Sequence, residues 1–126
     1  MATRKELLAH LWSHIINLEL REMSLDTIIA ECRRHPGRPF SDTGPAIERI
    51  LAAGVSRSDL TLVLRFTAYE AVFGTLYALS DPGAAEIDDI GTLYEELLMA
   101  DPSGMEGRPG SADAARKLLN PDEPDR

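Results

Sequence analysis

The sequence predicts an all-α fold, a single-domain bundle of five to six helices around a central apolar helix at about 59–79. Two observations predict it. Apolar residues recur at helical spacing in successive segments, and capping residues with Pro/Gly breaks separate those segments. No segment shows the alternating pattern of a strand. Because 126 residues can bury a substantial core, we expect one helical domain at 1–119, followed by a mobile acidic tail at 120–126.

The first half of the chain is predicted to form three helices. The first, at about 3–22, carries a wide apolar stripe that is typical of a helix packed on a core. The second begins with Ser24 as its N-cap and ends before Pro36. The third follows a Pro/Gly-rich loop and ends at Gly54. Its predicted buried residues are Ile47, Ile50 and Leu51.

The segment at about 59–79 is apolar almost all round, which favours a helix in the middle of the bundle. Ser56 or Ser58 can cap it. The segment is long enough to span a bilayer, but Arg65 and Glu70 lie inside it and no anchoring residues flank it. We therefore predict a core helix and no membrane partner.

The second half continues with a break at 81–83 and a fifth helix whose apolar residues run from Ile87 to Leu98. A Gly/Pro-rich loop follows at 101–110. The last helix is predicted at 111–119 and is expected to dock through Leu118 and Leu119.

The net charge of −8 lies entirely in the second half of the chain. Residues 1–63 hold eight basic and eight acidic residues, whereas residues 64–126 hold five basic and thirteen acidic residues. An acidic surface repels nucleic acid, so we expect no nucleic-acid partner. It can either attract a basic protein partner or serve solubility alone. The single cysteine, Cys32, and the absence of a signal-peptide pattern predict a cytoplasmic protein.

Four charged residues fall where the helical pattern predicts burial: Glu19 and Glu22 in the first helix, and Arg65 and Glu70 in the central one. Arg65 and Glu70 are five residues apart and cannot pair with each other. We therefore predict that Arg65 pairs with Glu19 or Glu22, with Tyr69 supplying a hydroxyl nearby. The cluster is either an internal salt-bridge network or a polar pocket in which Arg65 binds an anion.

Polar residues of the loop at 101–110 are a second set of candidates, because its glycines allow backbone N–H groups and side chains to converge. The loop lacks the ending of a phosphate-binding P-loop, and no strand precedes it. It is either a binding loop or a connector. The candidate residues are Asp101, Ser103, Glu106 and Arg108.

His10 and His14 are one helical turn apart, a spacing at which two imidazoles can chelate zinc. The glutamate that zinc proteases place between such histidines is absent, and the pair equally fits the polar face of an amphipathic helix. We expect no metal and no other cofactor.

The segment at 50–60 resembles the middle of a DNA-binding helix-turn-helix motif, with Gly54 at the turn. Three features oppose DNA binding: Ile50 stands where a small residue is usual, the following helix has few polar side chains, and the chain is acidic. The alternative is a helix closed by glycine and followed by a helix capped by serine.

No Ser/His/Asp or Cys/His arrangement can be assembled from the spacing, so the sequence favours a non-catalytic role. The leading hypothesis is a small protein-interaction domain, regulatory or inhibitory, that presents its acidic half to a more basic protein partner; a homodimer is compatible with this hypothesis and with the alternative. The alternative is a small-ligand-binding or catalytic domain with a pocket at Arg65, Tyr69 and Glu70.

Overall fold

The computed structural model describes residues 3–80 and 92–122, and within these ranges the chain forms helices and no strand. The predicted all-α fold is confirmed. The predicted break at 81–83 and the start of the fifth helix, including Ile87, lie outside the described residues. The α-helices are α1 (Arg4–Leu11), α2 (Ser24–Arg34), α3 (Thr43–Ala52), α4 (Arg57–Leu79), α5 (Leu93–Glu96) and α6 (Ser111–Leu119).

The first helix is shorter than predicted. After α1, the chain widens into a π-helical turn, Trp12–Ile16, in which the amide of Asn17 donates to the carbonyl oxygen of Trp12 at 2.8 Å. A 3₁₀ turn, Leu18–Leu20, follows. The prediction of one helix through Glu22 is therefore wrong, because both turns depart from the 3.6-residue period on which it was based.

Helices α2 and α3 form a closely packed hairpin. A Cβ atom at Gly44 would lie 2.7 Å from Cβ of Cys32 and 3.3 Å from Cα of Ile29, so only glycine allows this approach. Ile47 is buried as predicted, but Ile50 is 37% exposed, so the prediction that it is buried is wrong.

Helix α4 begins where its serine cap predicts, since the Ser56 hydroxyl accepts a hydrogen bond from the amide of Asp59 at 3.0 Å. It packs against the π turn, the Leu18–Leu20 turn and α5. Its length and composition would also suit a membrane span, a property that core helices of water-soluble proteins share.

Burial of α4 is one-sided, which corrects the expectation of a helix enclosed on all sides. Its buried residues are Thr61, Arg65, Val72 and Leu76. The opposite side keeps large apolar side chains 50–63% exposed, namely Leu62, Val63, Phe66 and Tyr77.

The main core lies between α1, the π turn, α4 and α5. The indole of Trp12 lies in this core and is also held by a hydrogen bond, because its Nε1 donates to the carbonyl oxygen of Leu97 at 2.7 Å. The buried members of this cluster are Leu8, Trp12, Ile16, Val72, Leu76, Leu93 and Leu97.

A second, smaller cluster of Leu20, Ala112 and Ala115 attaches α6, which has the predicted bounds. Leu119 packs against this cluster as predicted, but Leu118 is 62% exposed, so its predicted docking role is wrong. Asn120, the first residue of the predicted tail, accepts a hydrogen bond from the amide of Glu22 and donates to the carbonyl of Leu20. Residues 123–126 lie outside the described residues.

Candidate functional site

Arg65 is the buried charge around which the site is built, and it is only 8% exposed. Its Nε donates to Oδ1 of Asn17 at 2.8 Å, and its Nη1 donates to Oγ of Ser111 at 3.1 Å. Its Nη2 lies 3.9 Å from a carboxylate oxygen of Asp101, and its guanidinium carbon lies 5.6 Å from the centre of the Trp12 ring. Arg65 thus links α4 to the π-turn segment, the 101–110 loop and α6.

The prediction that Arg65 pairs with Glu19 or Glu22 is wrong. Glu19 is half-buried and Glu22 is exposed, and both line a separate cavity of about 70 Å³. Glu70 is also exposed, which contradicts its predicted burial. The π and 3₁₀ turns explain why Glu19 and Glu22 do not reach Arg65. They point the residues that follow Trp12 in directions different from those of a continuous α-helix.

Asp101 supplies the counter-ion that a buried arginine requires, and its side chain is fully buried. Burial lowers the pKa of Arg65, while the negative charge of Asp101 acts in the opposite direction. Since the ordinary pKa of arginine lies far above neutrality, Arg65 stays protonated. The site therefore contains a buried ion pair.

The 101–110 loop is organised by the same carboxylate. Asp101 accepts hydrogen bonds from the amide of Ser103 at 2.9 Å and from the amide of Gly107 at 2.8 Å. Gly107 has a φ of +73°, a conformation that favours glycine. Ser103 caps the amide of Met105, and Glu106 is exposed. The two predicted candidate groups, the Arg65 cluster and the loop, therefore meet at Asp101.

A cavity of about 530 Å³ lies between the π turn, α4 and residues 107–112. We call it the α4 cavity. Arg65, Arg108 and Ser111 contribute to its lining, while its larger walls are aromatic and aliphatic. Those apolar side chains are Trp12, Ile16, Leu62, Phe66, Tyr69 and Leu98.

Tyr69 and Arg108 are the predicted candidates that reach the α4 cavity besides Arg65. Burial, and to a lesser degree the charge of Glu70, raise the pKa of Tyr69, so its phenol is a hydrogen-bond donor at neutral pH. Arg108 is exposed, and its Nε donates to the carbonyl oxygen of Met105 at 2.6 Å. Glu70 does not line the cavity.

The two histidines lie elsewhere, on the exposed side of the first helical segment. The rings of His10 and His14 stack with their centres 4.0 Å apart, and Nδ1 of His14 lies 2.8 Å from the Ser13 hydroxyl. Within residues 3–80 and 92–122, no three His, Cys, Asp or Glu side chains gather as metal ligands do.

The segment at 50–60 is the junction between α3 and α4. Gly54 has a φ of +100° and closes α3, and Ser56 caps α4. The helix that follows the turn buries Thr61 and Arg65 against the protein. That side of α4 therefore cannot enter a DNA groove.

Sequence reasoning missed two partners of Arg65 altogether, Asn17 and Ser111, each of which is 2% exposed, and it did not connect Asp101 with Arg65. A continuous helix places Asn17 on the polar face with the histidines, and only the π turn brings it inward. Ser111 was predicted as the start of α6, but its contact with Arg65 spans 46 positions of sequence and has no local signal.

Comparisons with protein-family models, with curated proteins and with solved structures found no match. The geometry and chemistry of the α4 cavity are therefore the basis for assigning a function.

Proposed function

We propose that the chain is a small-molecule-binding domain whose ligand occupies the α4 cavity. The observation that carries the proposal is the cavity itself, with a volume of about 530 Å³ and walls made mainly of aromatic and aliphatic side chains. Ligand pockets typically measure about 300–1,000 Å³ and combine apolar walls with a few polar groups. The α4 cavity fits that description.

The lining favours a ligand with an apolar body. Trp12, Phe66 and Tyr69 offer ring faces, and Leu62 and Ile16 offer aliphatic surface. Arg65 holds these walls in place through Nε and Nη1, which bond to protein atoms, and its charge is offset by Asp101. Its Nη2 has no hydrogen-bond acceptor among the described residues.

Trp12 provides a direct test, since it is the only tryptophan in the chain and lines the α4 cavity. We expect its fluorescence to change saturably on titration with methyl octanoate or octanoate. The same probes should raise the melting temperature, because a ligand that binds only the folded state stabilises it. Fluorescence and melting temperature that respond to neither probe would contradict the proposal.

Substitutions at two neighbouring residues of α4 test whether the probe binds in the α4 cavity. Leu62 is 50% exposed and lines the cavity, whereas Val63 is 59% exposed and does not. Leu62→Glu places a carboxylate in the apolar wall and should weaken methyl octanoate binding at least about tenfold. Val63→Glu is the matched control and should leave binding unchanged. Equal losses in the two variants would place the probe outside the cavity.

Protein interaction is a second candidate function, favoured by the exposed apolar side of α4. Large apolar side chains that stay accessible often mark interaction sites, and the acidic second half of the chain would steer a basic partner.

A homodimer through the exposed side of α4 would give a mass by light scattering that rises with protein concentration, and this mass would be lower in Val63→Glu. A constant monomer mass would rule out self-association through α4.

A further inference from the structure

Arg108 differs from most arginines of this protein in its surroundings. Seven arginines each lie within 4.0 Å of a carboxylate: Arg4, Arg33, Arg34, Arg38, Arg57, Arg65 and Arg116. Arg108 has no such partner among residues 3–80 and 92–122, although the chain carries a net charge of −8. Among the arginines at 3–80 and 92–122, Arg108 and Arg65 line the α4 cavity and the others do not.

The base of the Arg108 side chain is held in place. Its Nε and its backbone amide both donate to the carbonyl oxygen of Met105, at 2.6 Å and 3.1 Å. Of the two arginines that line the cavity, Arg65 is buried and Arg108 is exposed, so Arg108 marks the part of the cavity that is open to solvent. Its terminal amino groups have no acceptor among the described residues and can form the two parallel hydrogen bonds that a carboxylate accepts.

The inner end of the cavity has a different electrostatic character. There the charge of Arg65 is balanced by the buried carboxylate of Asp101. Although Nη2 of Arg65 has no hydrogen-bond acceptor among the described residues, an anionic group placed beside this ion pair would lose its hydration and meet a charge that Asp101 already offsets. A charged ligand group is therefore favoured at the solvent end, beside Arg108.

We infer that the ligand of the α4 cavity is an amphipathic monocarboxylate, whose apolar body contacts Trp12 and Phe66 and whose carboxylate binds the guanidinium of Arg108. This inference rests on the proposed function and names its ligand class. It assigns Arg108 as the residue that selects an anion over a neutral molecule of the same shape.

The test compares octanoate with its neutral methyl ester by Trp12 fluorescence. Arg108→Gln removes the charge and should weaken octanoate binding about tenfold, the loss expected for one charge-assisted hydrogen-bonded pair, while methyl octanoate changes less than about twofold. Arg108→Lys keeps the charge without the paired donors, so it should restore part of the octanoate affinity.

Arg49→Gln is the matched control, because Arg49 is also exposed and does not line the cavity. It should leave the affinity for both probes unchanged. An unchanged octanoate affinity in Arg108→Gln overturns the inference, and so does an equal loss for both probes. In either case, methyl octanoate binding to the wild type would leave the proposed function standing. If neither probe binds the wild type, the proposed function fails, and the inference fails with it.

Discussion

At the scale of single residues, Arg65 and Asp101 depend on each other, because each is a buried charge whose counter-ion is the other. Arg65→Met leaves the carboxylate of Asp101 buried without its cation. We expect a loss of about 3 kcal/mol in the free energy of unfolding, measured by urea denaturation. Arg49→Met, an exposed control, should change it by less than about 0.5 kcal/mol. Equal changes in the free energy of unfolding of Arg65→Met and Arg49→Met would mean that the buried Arg65–Asp101 pair contributes nothing to stability.

Tyr69 gives the protein a pH dependence in the alkaline range. Burial raises the pKa of its phenol above the value of about 10 found in unfolded chains. As the pH passes 10, the unfolded chain therefore releases a proton that the folded chain retains, and stability falls.

Urea midpoints between pH 9 and 11 should fall more steeply for the wild type than for Tyr69→Phe. The pKa of Tyr94 is also raised, mainly by its hydrogen bond to Glu95. Since Tyr94 is present in both proteins, the difference between them isolates Tyr69. Urea midpoints that fall in parallel for the wild type and Tyr69→Phe would contradict the prediction that Tyr69 causes the alkaline loss of stability.

The sequence predicts Arg65 as a buried charge because it stands in an apolar helix. Its partners were not predictable, since Asn17, Asp101 and Ser111 are 48, 36 and 46 positions away along the chain. No local pattern encodes such contacts. The same pattern was wrong for Glu70, which is exposed, so both the burial and the pairing of a charge depend on the tertiary fold.

At the scale of elements, two helical glycines have opposite surroundings. A Cβ at Gly44 would lie 2.7 Å from Cβ of Cys32, whereas a Cβ at Gly74 would meet no described atom within 4 Å. Gly44→Ala should therefore lower the free energy of unfolding by about 1–3 kcal/mol, because α2 and α3 must separate. Gly74→Ala should raise it by about 0.5–1 kcal/mol, because alanine favours the helix interior. Thermal denaturation of both variants checks these two predictions. A Gly44→Ala variant that is more stable than the wild type would contradict the close packing of α2 against α3.

Two elements with local signals were predicted well, whereas the predicted N-cap of α2 was wrong, because Met23 occupies that position and Ser24 is the first residue of the helix. The bounds of α6 and the serine cap of α4 depend on residues adjacent to them, and both are observed. The π turn was missed, because no cap or break marks it and its Trp12 is held by a hydrogen bond to Leu97, 85 positions away. One-sided burial of α4 was missed for the same reason, since composition does not identify the neighbours of a helix.

At the scale of the whole molecule, the hairpin of α2 and α3 stands apart from the main core. No residue of either helix belongs to the cluster around Trp12, and α3 packs chiefly on α2. The hairpin is linked to the rest of the protein by the packing of α2 on the Leu18–Leu20 turn and by an exposed ion pair between Asp26 and Arg57 of α4, at 2.9 Å. Exposed pairs of this kind contribute little stability.

We therefore expect the hairpin to open before the core does. Native-state hydrogen exchange in increasing urea should give the amides of α2 and α3 a lower opening free energy than those at the centre of α4. Identical opening free energies in both regions would indicate a single cooperative unit.

The π turn at Trp12–Ile16 accommodates one surplus residue in a helical path, and this has a genetic consequence. Loss of the Ser13 codon would remove that surplus residue, so we expect the backbone to continue as a regular α-helix in which Asn17 still faces Arg65. Without the π turn, the full-length chain would instead rotate Asn17 by about 100° and leave the buried guanidinium without this acceptor. The segment should therefore tolerate the deletion of one residue.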